Sequence, residues 1–417
     1  MKEALLNEYA RLVVRVGVNV QPAQPVVINA PIEGADFARR LAGAAYEAGA
    51  RDVTVNWSDE TLARLRLEHV SEDVLGEYPH WKKALYEDNA ATGAAFISLH
   101  GDDPEIFRGI APVRLQKVQR AAGEALMDYR ARMMSNKNTW CVAAIPTRGW
   151  ARKVFPDKTP ADAVAALWAA ILETVRVTGD GGAADRWRNH IAFLRRAADF
   201  LNRNEFDALH YRNARGTDLT VGLPLGHLWV GGEEATEAAD GKPGGVPFVA
   251  NLPTEEVYTL PDRDRTEGVV YGTKPLVFHG NLIDGLRLTF RAGKVVDFDA
   301  DKGRELLGDL LGTDEGAAHL GEVALVPFDS PISQSGLLFY NTLFDENAAC
   351  HLALGKAYPT CLKGGADMDS VTLLGHGVND SLLHEDFMIG SGDLSIAGRK
   401  KDGQEVPVFR EGNFVEF

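Results

Sequence analysis

The feature that most constrains the fold is an alternation of short apolar runs with longer segments of helical periodicity in the first half of the chain. Runs typical of buried strands lie at residues 26–29, 52–57, 95–99 and 139–145. Apolar positions at helical spacing occur in segments 36–48, 115–134, 160–177 and 183–202, and Ser58 and Asp59 open a further helix. Strand–helix–strand units of this length predict an α/β domain with a mainly parallel sheet covered by helices.

The pattern changes after residue 205. Short alternating runs at residues 218–223, 268–272, 286–290 and 295–298 are separated by turn signals at 240–245 and 291–294. This pattern predicts a β-rich α+β domain. We therefore expect an N-terminal α/β domain at 1–205 and a C-terminal domain at 206–417.

Charge and cysteine content limit the partners and the compartment. Asp and Glu outnumber Lys and Arg by 59 to 44, which gives a net charge of −15. Nucleic acid or an anionic membrane would need a basic face, so neither is an expected partner. The first eleven residues are expected to form a charged amphipathic helix rather than a signal peptide, and no apolar run is long enough to span a bilayer. With only three scattered cysteines, the sequence predicts a cytoplasmic protein in a reducing compartment.

The familiar short motifs of nucleotide binding and hydrolysis are missing from the sequence. No G-x-G-x-x-G follows a predicted strand, and no P-loop, G-x-S-x-G or H-E-x-x-H motif occurs. The residues able to carry chemistry concentrate instead between 251 and 393. They are Glu255, Glu256, Glu322, His351, Tyr358, His384 and Asp386.

Each of these residues also has an ordinary structural explanation. A carboxylate in a strand is usually a surface charge, a single histidine is usually hydrogen-bonded in a core, and a single tyrosine usually packs. One of the adjacent pair Glu255 and Glu256 is expected to lie in a solvated loop. The neighbouring His376 is expected to be a loop residue.

The spacing of His384 and Asp386 favours binding of both side chains to the same metal ion. Residues i and i+2 of a strand lie on one face, so both side chains can reach one ion while Glu385 points away. Imidazole and carboxylate groups together suit Zn²⁺, Co²⁺ or Mn²⁺. Spacing alone leaves both a metal site and separate structural roles open.

Several longer runs resemble the M29 family of metalloaminopeptidases. They are residues 216–223 (GTDLTVGL), 251–257 (NLPTEEV), 321–327 (GEVALVP), 335–347 (SGLLFYNTLFDEN), 350–355 (CHLALG) and 384–390 (HEDFMIG). The resemblance extends over essentially the whole chain. It implies that the C-terminal domain is the catalytic, metal-binding one.

Carried over residue by residue, the resemblance implies five metal ligands and one active-site tyrosine. The ligands are Glu256, Glu322, His351, His384 and Asp386, with Glu256 favoured over Glu255, and the tyrosine is Tyr358. The family pattern usually has a small or apolar residue where this chain has Glu385. Because that side chain is expected to face away from the ions, we expect no loss of activity.

The implied activity is hydrolysis of the N-terminal bond of peptides with a free N-terminus. Two divalent ions, Zn²⁺, Co²⁺ or Mn²⁺, would lower the pKa of a water molecule between them, with Glu322 as the expected bridging ligand. Tyr358 is expected to donate a hydrogen bond to the oxyanion of the tetrahedral intermediate. Glu255 or a ligand carboxylate remains possible as the general base. The resemblance also implies a homodimer.

Two other functions stay open at this point. One is a dinuclear-metal amidase or dipeptidase for a specialised small substrate. The other is a non-catalytic peptide-binding relative that has kept the fold. The intact set of six site residues argues against the second.

Overall fold

The computed structural model describes residues 3–241, 244–278 and 281–417. The chain forms two compact units: unit 1 contains residues 1–189 and 233–253, and unit 2 contains 190–232 and 254–417. The division falls within helix α10 (Ala183–Asn204). The domain boundary near residue 205 stays a prediction.

Unit 1 is built on a five-stranded parallel sheet with the strand order β2-β1-β3-β4-β9. These strands are β1 (Pro25–Pro31), β2 (Asp52–Ser58), β3 (Ala95–His100), β4 (Trp140–Ala144) and β9 (Asn251–Leu252). A separate two-stranded ribbon pairs β7 (Glu234–Ala235) with β8 (Pro247–Phe248). The helices are α1 (Glu3–Leu12), α2 (Ala35–Glu47), α3 (Glu60–His69), α4 (Glu72–Leu75), α5 (His80–Ala91), α6 (Pro112–Ala125), α7 (Met127–Met134), α8 (Arg148–Val154) and α9 (Pro160–Thr174), with a π-helical turn at Val13–Gly17 and a 3-10 turn at Ile32–Gly34.

One predicted helix of unit 1 is wrong. The segment 115–134 forms two helices, α6 and α7, because Leu126 leaves the helical region with φ −103° and ψ 18°. Gly123 lies three residues before this break, and glycine has low helix propensity. The residue at the break, Leu126, is buried. A continuous run of helical spacing did not reveal it.

Unit 2 contains two antiparallel sheets. The eight-stranded sheet has the order β15-β14-β11-β6-β5-β19-β20-β21, and the four-stranded sheet has the order β10-β16-β17-β18. The larger sheet is made of β5 (Ala208–Arg212), β6 (Asp218–Gly222), β11 (Thr266–Tyr271), β14 (Arg287–Arg291), β15 (Lys294–Asp299), β19 (Ser395–Arg399), β20 (Glu405–Arg410) and β21 (Asn413–Phe414). The smaller one is made of β10 (Val257–Thr259), β16 (Leu320–Leu325), β17 (His351–Gly355) and β18 (His384–Met388).

Short elements complete unit 2. Strand β12 (Leu276–Phe278) pairs antiparallel with β13 (Asn281–Ile283). The helices are α11 (Arg304–Leu311), α12 (Pro331–Ser335), α13 (Thr342–Asp345) and α14 (Ser370–Gly375), and 3-10 turns occur at Gly316–Ala318, Glu346–Ala348, Pro359–Cys361 and Gly365–Asp367. The predicted fold class is confirmed: a parallel α/β part and a β-rich part occur in this chain order.

The central strands of the four-stranded sheet are buried along their whole length. Every residue of β16 and β17 is buried. One face of these strands packs Val323, Leu325, Leu352 and Leu354 into the main apolar core of unit 2. Because side chains alternate along a strand, the intervening residues face the other side of the sheet, where the polar candidates lie.

No helix among the described residues is long and apolar enough to cross a membrane.

Candidate metal centre

The strand register brings four candidate side chains to one face of the four-stranded sheet. Glu322 lies opposite Ala353, and Ala353 lies opposite Asp386. His351 precedes Ala353 by two positions, and His384 precedes Asp386 by two, so both histidines share that face. The predicted pairing of His384 with Asp386 therefore has the expected strand geometry. Ala353, the residue at the centre, has the smallest side chain of the set.

A bulge at Gly321 sets the position of Glu322. The register of β16 against β17 shifts between Leu320 and Glu322. A Cβ atom at residue 321 would lie 2.3 Å from the carbonyl oxygen of Gly355, so only glycine permits this approach of the two strands.

Glu256 reaches the same place from the loop that precedes β10. The backbone of this loop is held on one side by Gly231, where a Cβ atom would lie 2.4 Å from the carbonyl oxygen of Glu256. On the other side, the amide of Glu255 donates a 2.7 Å hydrogen bond to Oδ1 of Asn347. These close contacts fix the backbone position from which the Glu256 side chain extends.

The expectation that one residue of the pair 255–256 is solvated is wrong. Glu255 is only 1% exposed, and its Oε2 lies 3.5 Å from Nε2 of His190. Glu256 has a side chain that is 13% exposed and directed at His351. The two neighbours therefore lie in different buried environments, because consecutive side chains leave the loop in different directions.

The five predicted ligands converge within salt-bridge distances. Nε2 of His351 lies 3.3 Å from Oε1 of Glu322 and 3.4 Å from Oε2 of Glu256. Nε2 of His384 lies 3.5 Å from Oδ1 of Asp386 and 3.8 Å from Oε2 of Glu322. The potential ligand atoms form two groups, each with its atoms within 4.8 Å of one another: Glu256, Glu322 and His351, and Glu322, His384 and Asp386. Glu322 belongs to both groups.

The backbone fixes the orientation of both imidazole rings. Nδ1 of His351 lies 3.1 Å from the carbonyl oxygen of Ala349, and Nδ1 of His384 lies 2.7 Å from that of Lys356. A carbonyl oxygen only accepts, so each Nδ1 carries a proton and donates it. Nε2 of the neutral ring is then left with its lone pair directed at the cluster, as in metal-bound histidines.

Charge crowding strongly perturbs the acid–base behaviour of the cluster. Burial raises the pKa of Glu256 to about 7. Burial opposes protonation of the histidines, but the surrounding carboxylates outweigh it and raise the pKa of His351 to about 10 and that of His384 to about 9. In the absence of ions, the histidines therefore hold protons that compensate the carboxylates.

The residues present fit a pair of divalent ions. Oδ1 of Asp386 is buried and accepts no hydrogen bond among the described residues. Its nearest cationic group is the protonated His384, with Nε2 at 3.5 Å, and a metal ion that displaces the histidine protons would take over that compensation. Three carboxylates and two imidazoles, with one carboxylate shared between the two groups, form a donor set that suits two Zn²⁺, Co²⁺ or Mn²⁺ ions.

Tyr358 lies at the edge of the cluster. Its ring centroid is 4.8 Å from that of His384, and the residue is 38% exposed. Burial and the charges of Glu322 and Asp386 raise the pKa of the phenol well above its usual value. The hydroxyl group therefore keeps its proton and can donate it in a hydrogen bond.

Two nearby residues lie outside the ligand groups, as the sequence predicts. His376 is exposed just after α14. Glu385 alternates with His384 and Asp386 along β18 and belongs to neither group.

A further residue at this site was missed by the sequence analysis. Glu346 lies on the 3-10 turn Glu346–Ala348, which packs against β18. Burial and the charges of Glu256 and Asp386 raise the pKa of Glu346 well above its usual value. Glu346 lies between Asp345 and Asn347 on a short turn. A turn has no periodic spacing in the sequence, so the direction of the Glu346 side chain could not be predicted.

Comparison with known proteins identifies the family. The model of the thermophilic metalloproteases (M29) matches residues 2–414. The chain belongs to the M29 family. This M29 protein is 47% identical to "Aminopeptidase 2" of Geobacillus stearothermophilus, over 99% of this chain and 98% of that protein. It is also 47% identical to "Aminopeptidase AmpS" of Bacillus subtilis (strain 168), over 98% of both chains.

A solved structure supports the same identification of the M29 fold. Wild-type AmpT from Thermus thermophilus superposes with a TM-score of 0.90 at 40% identity, over 99% of both chains. The predicted family and the predicted enzyme class are both confirmed.

Proposed function

We propose that this M29 protein is an aminopeptidase that removes N-terminal residues from peptides by means of two divalent ions. One observation carries the proposal: two groups of potential ligands meet in a shared carboxylate, Glu322. Relatives named aminopeptidases match the chain over nearly its whole length. An arrangement of this kind is typical of hydrolases that use two metal ions.

In this proposal Glu256 and His351 would hold one ion, His384 and Asp386 would hold the other, and Glu322, which belongs to both groups, would contribute to each. Bound ions would polarise the scissile carbonyl and lower the pKa of a water molecule at the site. The chain itself supplies orientation. Carbonyl oxygens of Ala349 and Lys356 fix the imidazole rings, and the bulge at Gly321 fixes Glu322.

Tyr358 is the proposed hydrogen-bond donor to the developing oxyanion. Its raised pKa keeps the hydroxyl protonated, and its partial exposure leaves it accessible to a substrate. A donor positioned where charge develops stabilises the transition state more than the ground state.

The proposal includes three broader statements. The ions are Zn²⁺, Co²⁺ or Mn²⁺, which the same ligand types accept. The protein acts in the cytoplasm, in line with its acidic charge and its three unpaired cysteines. It forms a homodimer, as its resemblance to the family implies.

Hydrolysis of a leucyl peptide beside its N-acetylated counterpart tests the proposed function. We expect cleavage of the free-amine peptide alone, loss of activity after chelation, and recovery with Zn²⁺, Co²⁺ or Mn²⁺. Cleavage of the acetylated peptide would indicate an amidase of another kind. Failure to cleave either peptide under every metal would contradict the proposal and favour a specialised substrate or a binding role.

A further inference from the structure

Glu346 lies beside the proposed ligands without belonging to them. Its 3-10 turn packs against β18, the strand that carries His384 and Asp386. The charges of Glu256, Asp386, His351 and Glu322 all act on its carboxyl group. It nevertheless belongs to neither group of potential ligand atoms. Its carboxyl group therefore lies close enough to the ligands to feel their charges but outside both groups of ligand atoms.

The buried side-chain amide of Asn347 connects Glu346 to the loop that carries Glu256. Asn347 is fully buried, and its Oδ1 accepts the 2.7 Å hydrogen bond from the amide of Glu255. Its Nδ2 donates to Oε1 of Glu346 at 3.4 Å and to the carbonyl oxygen of Leu343 at 3.3 Å. The loop that carries Glu256 and the turn that carries Glu346 are thus held by the two ends of one side chain.

Glu346 differs from the three carboxylates among the proposed ligands, and from Glu255, in having no cation beside it. Glu256, Glu322 and Asp386 lie within 4.0 Å of a histidine nitrogen, and Glu255 lies 3.5 Å from His190. Asp345 accepts backbone hydrogen bonds from Phe339 and Asn341. Among the residues that the structure describes, no Lys, Arg or His nitrogen lies within 4.0 Å of the Glu346 carboxylate, whose one hydrogen bond comes from Asn347.

Because no cation lies beside it, the largely desolvated carboxyl group of Glu346 is disfavoured in its ionised form, and a cation from outside the chain would stabilise that form. Glu346 retains partial solvent exposure, so such a ligand can reach it. In a peptide with a free N-terminus, the cationic group is the α-ammonium, and it lies two bonds from the scissile carbonyl carbon. A carboxylate close to the ligands of the proposed ions is therefore suitably placed to bind it.

We propose that Glu346 binds the α-ammonium group of the substrate and thereby restricts this M29 protein to peptides with a free N-terminus. This inference rests on the proposed function. An N-acylated peptide lacks the charge, so it would leave the Glu346 carboxylate unpaired. Removing one partner of a buried charge pair is costly, and this cost selects against such substrates.

The test compares wild type, Glu346→Gln and Glu346→Asp on two substrates that differ only in the amine. They are leucine p-nitroanilide and 4-methylpentanoic acid p-nitroanilide. Glu346→Gln is expected to lower kcat/KM for the amine substrate by about 30-fold or more, a loss in the range for breaking a buried charge pair. The substrate without the amine is expected to change less than about two-fold, since it makes no such contact. Glu346→Asp keeps the charge and is expected to recover part of the loss.

A binding measurement separates this inference from the proposed function. The inhibition constant or calorimetric Kd of 3-methylbutylamine is measured beside that of 3-methyl-1-butanol, with the metal content of each protein determined by atomic absorption. Glu346→Gln is expected to weaken only the amine, by about ten-fold or more, with metal content unchanged. Glu385→Gln, which neutralises a carboxylate of β18 outside both ligand groups, is the matched control and is expected to leave amine binding at the wild-type level.

Three outcomes would overturn the inference. Equal losses on both substrates would place Glu346 in the chemistry or the fold. Loss of bound metal would make it a ligand. Unchanged amine binding in Glu346→Gln would exclude the contact even if the wild type is an active aminopeptidase. If the wild type cleaves no free-amine peptide, the proposed function fails, and the amine Kd still decides for or against Glu346.

Discussion

At the residue scale, the phenolic group of Tyr358 has the most specific chemical role. Tyr358→Phe removes one hydroxyl and leaves the ring against His384, so the ligand cluster is kept. We expect kcat to fall by about 10²–10³, the usual loss for one oxyanion donor, with metal content and KM nearly unchanged. Steady-state kinetics of a leucyl substrate measure this.

Tyr271→Phe, on β11 in the larger sheet, is a control for the loss of a tyrosine hydroxyl and should keep wild-type turnover. Full turnover in Tyr358→Phe would contradict the proposed role of that residue. A loss of bound ions would instead make the tyrosine part of the metal centre.

The same scale shows why single residues were predicted unevenly. His384 and Asp386 follow from strand alternation, which also places Glu385 on the other face. The burial of Glu255 was not predicted, because nothing in the sequence shows that His190, 65 positions earlier, lies beside the Glu255 carboxylate in the fold. Glu346 was missed because a 3-10 turn of three residues has no periodicity from which its direction can be predicted.

At the scale of elements, the site depends on the two faces of β17. Ala353 lies between Glu322 and Asp386 on the polar face, while Leu352 and Leu354 face the core. Ala353→Leu adds a branched side chain where the ligands converge. We expect loss of metal binding and a stability cost of about 1–3 kcal/mol from overpacking. Metal analysis and urea unfolding of the purified variant measure the two effects.

Leu352→Met is the matched substitution on the opposite face of β17. It conserves volume, so the cost should stay below about 1.5 kcal/mol, and metal binding should be retained. If both variants bind metal equally well, the ligands do not converge over Ala353 as the register places them.

Some features of these elements can be predicted from sequence patterns and others cannot. Short apolar runs predict the strands of unit 1, and short alternating runs predict four strands of the larger sheet in unit 2, where burial on one face leaves a period of two in the sequence. Neither pattern predicts the bulge at Gly321, which depends on how closely β16 approaches the end of β17. The break at Leu126 is similar, since both halves of the segment keep helical spacing around it.

At the scale of the whole molecule, all five proposed ligands belong to unit 2, so metal binding should stabilise that unit. A ligand that binds only the folded state stabilises it by about 2.7 kcal/mol at a free concentration 100 times Kd. We expect chelation to speed hydrogen exchange in β16, β17 and β18. Mass spectrometry of exchanged peptides with and without Zn²⁺ measures this. Equal exchange in both states would argue against ions at this sheet.

The pH dependence of stability should change sign between the metal-free and metal-loaded proteins. Without ions, His351 and His384 have folded pKa values of about 10 and 9, above the usual 6.5. The contribution of these two histidines to the free energy of unfolding is therefore complete below pH 6.5 and is lost as pH rises through 9–10. Glu256, with its pKa raised to about 7, favours the folded state while protonated and loses that contribution between pH 4.5 and 7.

With ions present, deprotonation of the same three groups stabilises the folded protein instead of destabilising it. The ions bind deprotonated ligands, so protons compete with them and the stabilisation by metal grows as pH rises. The gap between metal-loaded and chelated Tm should widen from pH 6 to pH 9, and binding at pH 7 should release protons. Thermal unfolding across this range and calorimetry in buffers of different ionisation enthalpy measure the two effects. A gap independent of pH would mean that the ions bind elsewhere, since no site built from His351, His384 and Glu256 can bind them without displacing these protons.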